Sequence, residues 1–254
     1  GIQVRAALVQ AVQYRSNFVA EGLVEVVWAA GMLVPLVVVY GDRPSVAGWS
    51  YPEAMVVTGC FTLLQGVIEG VVTPAMTALV EHVRKGTLDF LLLKPADAQF
   101  LATTSKLLPW KSLNVVFGLT LMTYGVARSG HALTAGRVVA GAVMLAVSVS
   151  LLLSLWTCAG CAAFVLGKVD NLTYLFTSVF DAARWPSAVF PGLLRLVFTV
   201  VIPLAVMTTF PAEALLGRLE PWRLAAAVAG AVAAAALSRL CWSRSLARYT
   251  SAGG

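Results

Sequence analysis

Long apolar runs separated by short polar segments recur along the whole chain. A helix needs about 20 apolar residues to cross a bilayer. Six runs answer to that length: Phe18 to Tyr40, Ala54 to Val80, Leu107 to Ala127, Val138 to Leu166, Ser187 to Phe210 and Trp222 to Leu240. The pattern predicts an all-α polytopic membrane protein with six transmembrane helices in one domain over residues 1–254. No repeat, low-complexity linker or soluble domain interrupts it. The first run is as long as a true span and no small-residue cleavage site follows it, so it is expected to stay in the mature protein. Ahead of it, "IQVRAALVQAVQYR", about residues 1–16, is expected to lie along the membrane surface as an amphipathic helix.

Composition agrees. The 254 residues are 59% hydrophobic and 12% charged, with mean hydropathy +0.84, against roughly 25% charged residues in soluble domains. Lys and Arg favour the cytoplasmic side of membrane proteins. With both termini placed in the cytoplasm, inside segments hold 12 basic residues and outside segments 5, with Arg195 inside the fifth run. Both ends are therefore expected inside, in a multi-pass protein of the inner (cytoplasmic) membrane. The net charge of +6 needs no nucleic acid, because an anionic inner leaflet suffices as its partner.

The fifth run carries Pro186, Pro191, Pro203 and Pro211 on and around it. Proline removes an amide donor, and unpaired backbone at membrane depth needs protein or water to shield it. Either Ser187 to Phe210 is one kinked span, or a shorter crossing near Asn171 to Trp185 precedes re-entrant pieces. The second choice strands Asp181 and Arg184 within a span, so the physical expectation is the kinked span.

The second run, 27 residues from Ala54 to Val80, makes about 40 Å of helix against a hydrocarbon core of about 30 Å. Tilt or projection into the cytosol takes up the surplus. Just beyond it lies "EHVRKGTLDFLLLKP", Glu81 to Pro95, the most charged stretch of the chain. Glu81, Arg84, Lys85 and Asp89 share one helical face, with Glu81–Lys85 and Lys85–Asp89 as i,i+4 pairs. Gly86 is expected to mark a turn, Thr87 to cap a second short helix, and Pro95 to end it. By spacing alone this is either a solvated loop or a short helix held at the inner surface against a cytosolic partner.

"VRKGTLDFLLLKPADAQFLA" resembles the loop of the six-helix permeases of ABC exporters, the type-two export superfamily. "QAVQYRSNF" before the first span and "VFPGLLRLVFTVVIPLAVMTTFPAEALLG" late in the chain fit the same family. The resemblance implies a cytoplasmic coupling helix between spans 2 and 3, in a coupling segment of about residues 81–97. It implies ATPase coupling through Glu81, Arg84, Lys85, Gly86, Asp89, Lys94 and Pro95, and it favours re-entrant pieces in the late proline-rich region. The implied partners are a cytosolic ABC ATPase carrying ATP and Mg, and a second permease, identical or related. The chain itself should bind no cofactor and hydrolyse nothing. A phosphate-binding loop needs GxxxxGK[ST], whereas "GCAAFVLGKV" from Gly160 has six residues between its glycines and Val169 at the hydroxyl position.

Within the spans, Gln65 and Glu69 lie one turn apart in the second, and Asn114 lies in the third. A carboxylate near the bilayer centre costs about 2.5 to 3.5 kcal/mol, so Glu69 is expected either to line a transport path or pair with Arg195, or to be structural or sit at a shallower depth. Asn114 is expected to form an interhelical hydrogen bond or to line the same path. Glu21 and Glu25 read as interfacial. "GVIEG", Gly66 to Gly70, permits close helix approach. The CxxC of Cys158 and Cys161 has no second pair, and only His82 and His131 exist; it reads as helix packing, not as a zinc site. No nucleophile, base and acid set is visible. The leading expectation is thus the permease subunit of an ATP-driven exporter. The alternatives are an ion-coupled carrier or channel with Glu69 as its titrating group, and a non-transporting membrane scaffold.

Overall fold

The computed structural model describes residues 15–93, 97–104, 106, 108–161 and 177–247. Among them the chain is helical apart from a two-stranded ribbon, Ser45–Val46 with Trp49–Ser50. The amphipathic helix expected over about residues 1–16 lies almost wholly outside the described residues. Among the described residues three helices are long and apolar enough to cross a membrane: Tyr51–Lys85, Ala135–Cys161 and Pro221–Leu246. The other runs are shorter or broken, each for a local reason.

The first run divides into α1 (Arg15–Gly31) and α2 (Val34–Tyr40). Pro35 has no amide to give the Gly31 carbonyl, so the ladder stops there. The ribbon then turns through Ala47 and Gly48, both at positive φ, and delivers Ser50 to the start of α3 (Tyr51–Val67). There the Ser50 amide donates to Glu53 Oε2 at 2.9 Å and completes a capping box.

Next, α3 continues through a π-helical turn, Ile68–Val72, into α4 (Thr73–Lys85). Pro74 is the cause of one exception in the ladder. It cannot donate to the Gly70 carbonyl, and that oxygen accepts from the Leu108 amide at 2.8 Å instead. The whole rod is 35 residues, about 52 Å, and so exceeds a hydrocarbon core of about 30 Å by some 20 Å. Of the two expectations for this helix, tilt or projection, an excess of that size favours projection.

α5 (Asp89–Leu92) and α6 (Ala98–Thr103) fold back beside α4, and a 3-10 turn at Pro109–Lys111 leads into α7 (Ser112–Arg128). α7 runs antiparallel to α3 at very short range. A Cβ on Gly118 would stand 2.6 Å from the Gly59 carbonyl oxygen, and one on Gly125 would stand 2.6 Å from that of Pro52. At the other end a Cβ on Gly66 would meet Asn114 and Val115 at 3.0 Å, and one on Gly70 would meet Lys111 at 3.1 Å. The GxxxG motif therefore seats a neighbouring helix of its own chain.

α8 (Ala135–Cys161) covers the fourth run as far as Cys161, and residues 162–166 of that run lie outside the described residues. The fifth run is not one kinked span. It comprises a 3-10 turn at Ser187–Val189, α9 (Gly192–Leu196) with a π turn at Val197–Val201, an extended break at Ile202, a second π turn at Ala205–Thr209, and α10 (Phe210–Leu216). A continuous helix would hold Arg195 and Glu213 about 27 Å apart. Instead Arg195 and Glu213 line one cavity, because the chain breaks at Ile202–Pro203 into a helical hairpin. α10 lies along the first half of α8, with Leu215 against Gly141 and Arg137 against Gly217. Side chains pair backbone groups that the broken helix leaves over: Thr208 donates to the Ala183 carbonyl at 2.8 Å, and the Ser187 amide donates to Thr209 Oγ1 at 3.1 Å. α11 (Pro221–Leu246) closes the bundle against α8.

The glycine seam sets the α3–α7 distance, so Gly118→Leu is expected to destabilise the fold by about 1 to 3 kcal/mol or more through overpacking. Gly136→Leu, where an added Cβ meets nothing within 4 Å, should be neutral. Thermal unfolding of both variants in detergent, followed by gel filtration, checks this.

Candidate functional site

The close approach of α3 and α7 places Lys111 between two carboxylates. Its ammonium donates to Glu69 Oε2 at 2.6 Å and also binds Glu25 Oε1 of α1. Asn114 Nδ2 donates to Glu25 Oε2 at 2.9 Å, and Gln65 Nε2 donates to Glu69 Oε1 at 3.0 Å. The three residues singled out for a transport path are thus joined in one network, together with Glu25 and Lys111. Asn114 makes the interhelical hydrogen bond expected of it. Glu69 pairs with Lys111, not with Arg195, which lines a cavity together with Glu213.

Two positions change meaning. Glu25 read as interfacial, yet it is 7% exposed and holds one end of the network. Glu69, for which a shallower place was left open, lies 18 residues from Tyr51, about 27 Å along the rod, close to the full thickness of a hydrocarbon core. A carboxylate in one helix and a lysine at the foot of another were the only available sequence signals, and neither fixes which faces meet. The network is a neutralising strut: burying any of these charges alone is costly, and pairing with further hydrogen bonds offsets it.

At the Lys85 end of the rod, Gly86 takes a left-handed conformation, φ 64°, and the Thr87 amide donates to the His82 carbonyl at 2.9 Å. This is a glycine helix stop, as the sequence indicated. Lys85 bonds Glu81 at 2.6 Å and holds its carboxyl below the usual carboxylate range. Asp89 leaves that face because the helix ends, and it opens α5 instead. Thr87 does not cap α5; its hydroxyl lies 2.8 Å from His82 Nδ1. Arg84 and Lys85 are exposed. Beside them Phe90 is 71% and Leu93 81% exposed, while Leu88 is wholly buried. Lys94 and Pro95 lie outside the described residues.

After them, Asp97 caps α6 by accepting from the Phe100 amide at 2.9 Å and bonds Arg239 of α11. That hydrogen bond holds its carboxyl below the usual range. Gln99 accepts from the same guanidinium at 3.1 Å. The clasp forms one wall of a cavity of about 700 Å³ whose lining includes Ser150, Ser154, Thr157 and Ser238. Among the described residues no group of His, Cys, Asp or Glu could hold a metal ion, and Cys158 and Cys161 stand as free thiols in the last turn of α8.

The long apolar helices and the glycine-stopped segment agree with the comparison of this chain with known families. A family model described as ABC-2 family transporter protein matches residues 26–253. The chain belongs to that family. It is a membrane protein of ABC-2 transporter type, and the resemblance carried by "VRKGTLDFLLLKPADAQFLA" pointed to the right group. No curated protein and no solved structure matches it.

For this ABC-2 protein, Lys111→Met leaves two carboxylates without their cation and is expected to cost about 3 to 5 kcal/mol. The triple change Lys111→Met, Glu25→Gln, Glu69→Gln should recover most of that loss, as read by thermal unfolding in detergent. Because the Asp97 carboxyl is held low, its clasp contributes above the ordinary carboxylate pKa of about 4 and weakens as pH falls through the lowered value. The loss of stability in Asp97→Asn is therefore expected to be the same at pH 8 and at pH 5, as read by thermal unfolding in detergent.

Proposed function

We propose that this chain is the membrane-spanning permease subunit of an ATP-driven exporter, energised by a separate ATPase that carries ATP and Mg. The observation that supports this reading best is the end of the long rod. Phe90 and Leu93 stand exposed beside Arg84 and Lys85, roughly 20 Å beyond the length a hydrocarbon core requires. Exposed apolar side chains rimmed by charge mark an interaction site. The glycine stop at Gly86 and the buried anchor Leu88 fix this tip to α4, so force on it is transmitted along the rod to the glycine seam and the Lys111 network.

In this reading residues 81–97 form the coupling segment, both termini are cytoplasmic, and the membrane is the inner one. There are six crossings, the fifth ending near Trp185 ahead of the helical hairpin. Two permeases, identical or related, work with two ATPases. Closure of the ATPase pair on ATP pushes the coupling segments and reopens the permease interface outward. Pairing with Lys111 makes Glu69 a strut, which argues against its serving as the titrating group of an ion-coupled carrier.

Co-purification with the ATPase encoded beside this chain tests the proposal. Wild type is expected to retain the ATPase, and Phe90→Asp or Gly86→Pro to weaken retention at least tenfold, as for a central interface residue. A folded wild-type chain that never binds an ATPase would overturn the proposal.

A further inference from the structure

A second cavity, of about 810 Å³, lies between α8, α11 and the hairpin. Its size falls in the range of small-molecule sites, about 300 to 1,000 Å³. The wall along α11 extends from Trp222 to Leu237, about 22 Å of helix. That is the depth of one leaflet with its headgroups, half of a bilayer about 40 to 45 Å thick. The deep part is apolar, with Leu151, Leu155, Val206 and Leu237; the charged groups collect at the Trp222 end.

The charges at that end are mismatched in a particular way. Glu213 Oε2 is buried and accepts no hydrogen bond. Arg223 stands 3.7 Å from that oxygen, too far to bond it, and places its Nε 3.2 Å from Glu220. Arg218 also acts on Glu213 but is bound to Glu53 across the bundle. Arg195 is exposed into the cavity, and among the described residues its guanidinium has no hydrogen bond or ion pair. The rim thus offers one unsatisfied anionic acceptor and one unsatisfied cationic donor. Arg195 and Arg223 together balance Glu213 and Glu220, so an anion alone gains no net attraction there.

We propose that this cavity binds a zwitterionic phospholipid of the ethanolamine type, with its phosphate on Arg195, its primary ammonium on the Glu213 carboxylate, which turns Oε2 out to meet it, and an acyl chain along α11. An ammonium with N–H donors satisfies the buried carboxylate oxygen, which a quaternary ammonium cannot do by hydrogen bonding. The site is built from the membrane-embedded chain itself and does not depend on coupling to an ATPase.

The test uses the full chain, stripped of lipid in detergent, incubated with vesicles of phosphatidylethanolamine, phosphatidylcholine or phosphatidylglycerol, and repurified; retained lipid is measured by mass spectrometry. Wild type is expected to retain the ethanolamine lipid about tenfold over the choline lipid, the effect of one charge-assisted hydrogen bond. Glu213→Gln should abolish that preference while phospholipid is still retained. Arg195→Ala should lower retention of all three lipids, and Arg195→Lys should restore it. Equal retention of the ethanolamine and choline lipids by wild type would overturn the proposal. So would a preference for the glycerol lipid, or an unchanged ethanolamine preference in folded Glu213→Gln.

Discussion

The structure depends on how closely α3 and α7 approach. Gly59 and Gly118 let two backbones meet where any side chain would collide, and Gly66, Gly70 and Gly125 continue the seam. In lipid there is no hydrophobic force between helices, so small residues that permit dense contact supply the association. That contact brings Lys111 within reach of Glu69, and α1 completes the group with Glu25. Had α7 been held farther off by a leucine at position 118, Lys111 would be drawn away from Glu69 and Glu25.

As far as the π turn, carboxylates on the long rod fall into two layers. Near its start, Glu53 is held by Arg218, with His131 at 3.8 Å. Near the π turn, Glu69 is held by Lys111. The two carboxylates are 16 residues apart, about 24 Å, and the helix between them is almost wholly apolar and buried. Paired charge thus brackets a slab nearly as thick as a hydrocarbon core. Beyond the second layer the rod continues into α4, and its amphipathic, charged character there is that of a helix in water.

Proline acts through the carbonyl it leaves free. Pro74 releases the Gly70 oxygen, and the Leu108 amide takes it, fixing the loop that carries Lys111. Around Pro203 the ladder is lost and the chain reverses, with Thr208 and Thr209 bonding the segment near Ala183 and Ser187. The same residue type thus leaves one helix continuous and divides another. The outcome depends on whether a neighbouring donor is at hand.

The long apolar runs by themselves determined that the chain is a helical membrane protein, since hydrocarbon content and run length are local properties. The glycine stop at Gly86 was legible for the same reason: a left-handed residue after a helix needs no distant partner. So was the family, through the stretch around it. Tertiary structure alone decided that Glu25 is buried, that Glu69 answers to Lys111, that the GxxxG serves an intramolecular seam, and that residues 187–210 turn back. Each of these depends on which faces of separate helices meet. That choice is made by packing and by the need to pair every buried charge and freed carbonyl at once, a condition on the whole bundle that no single segment contains.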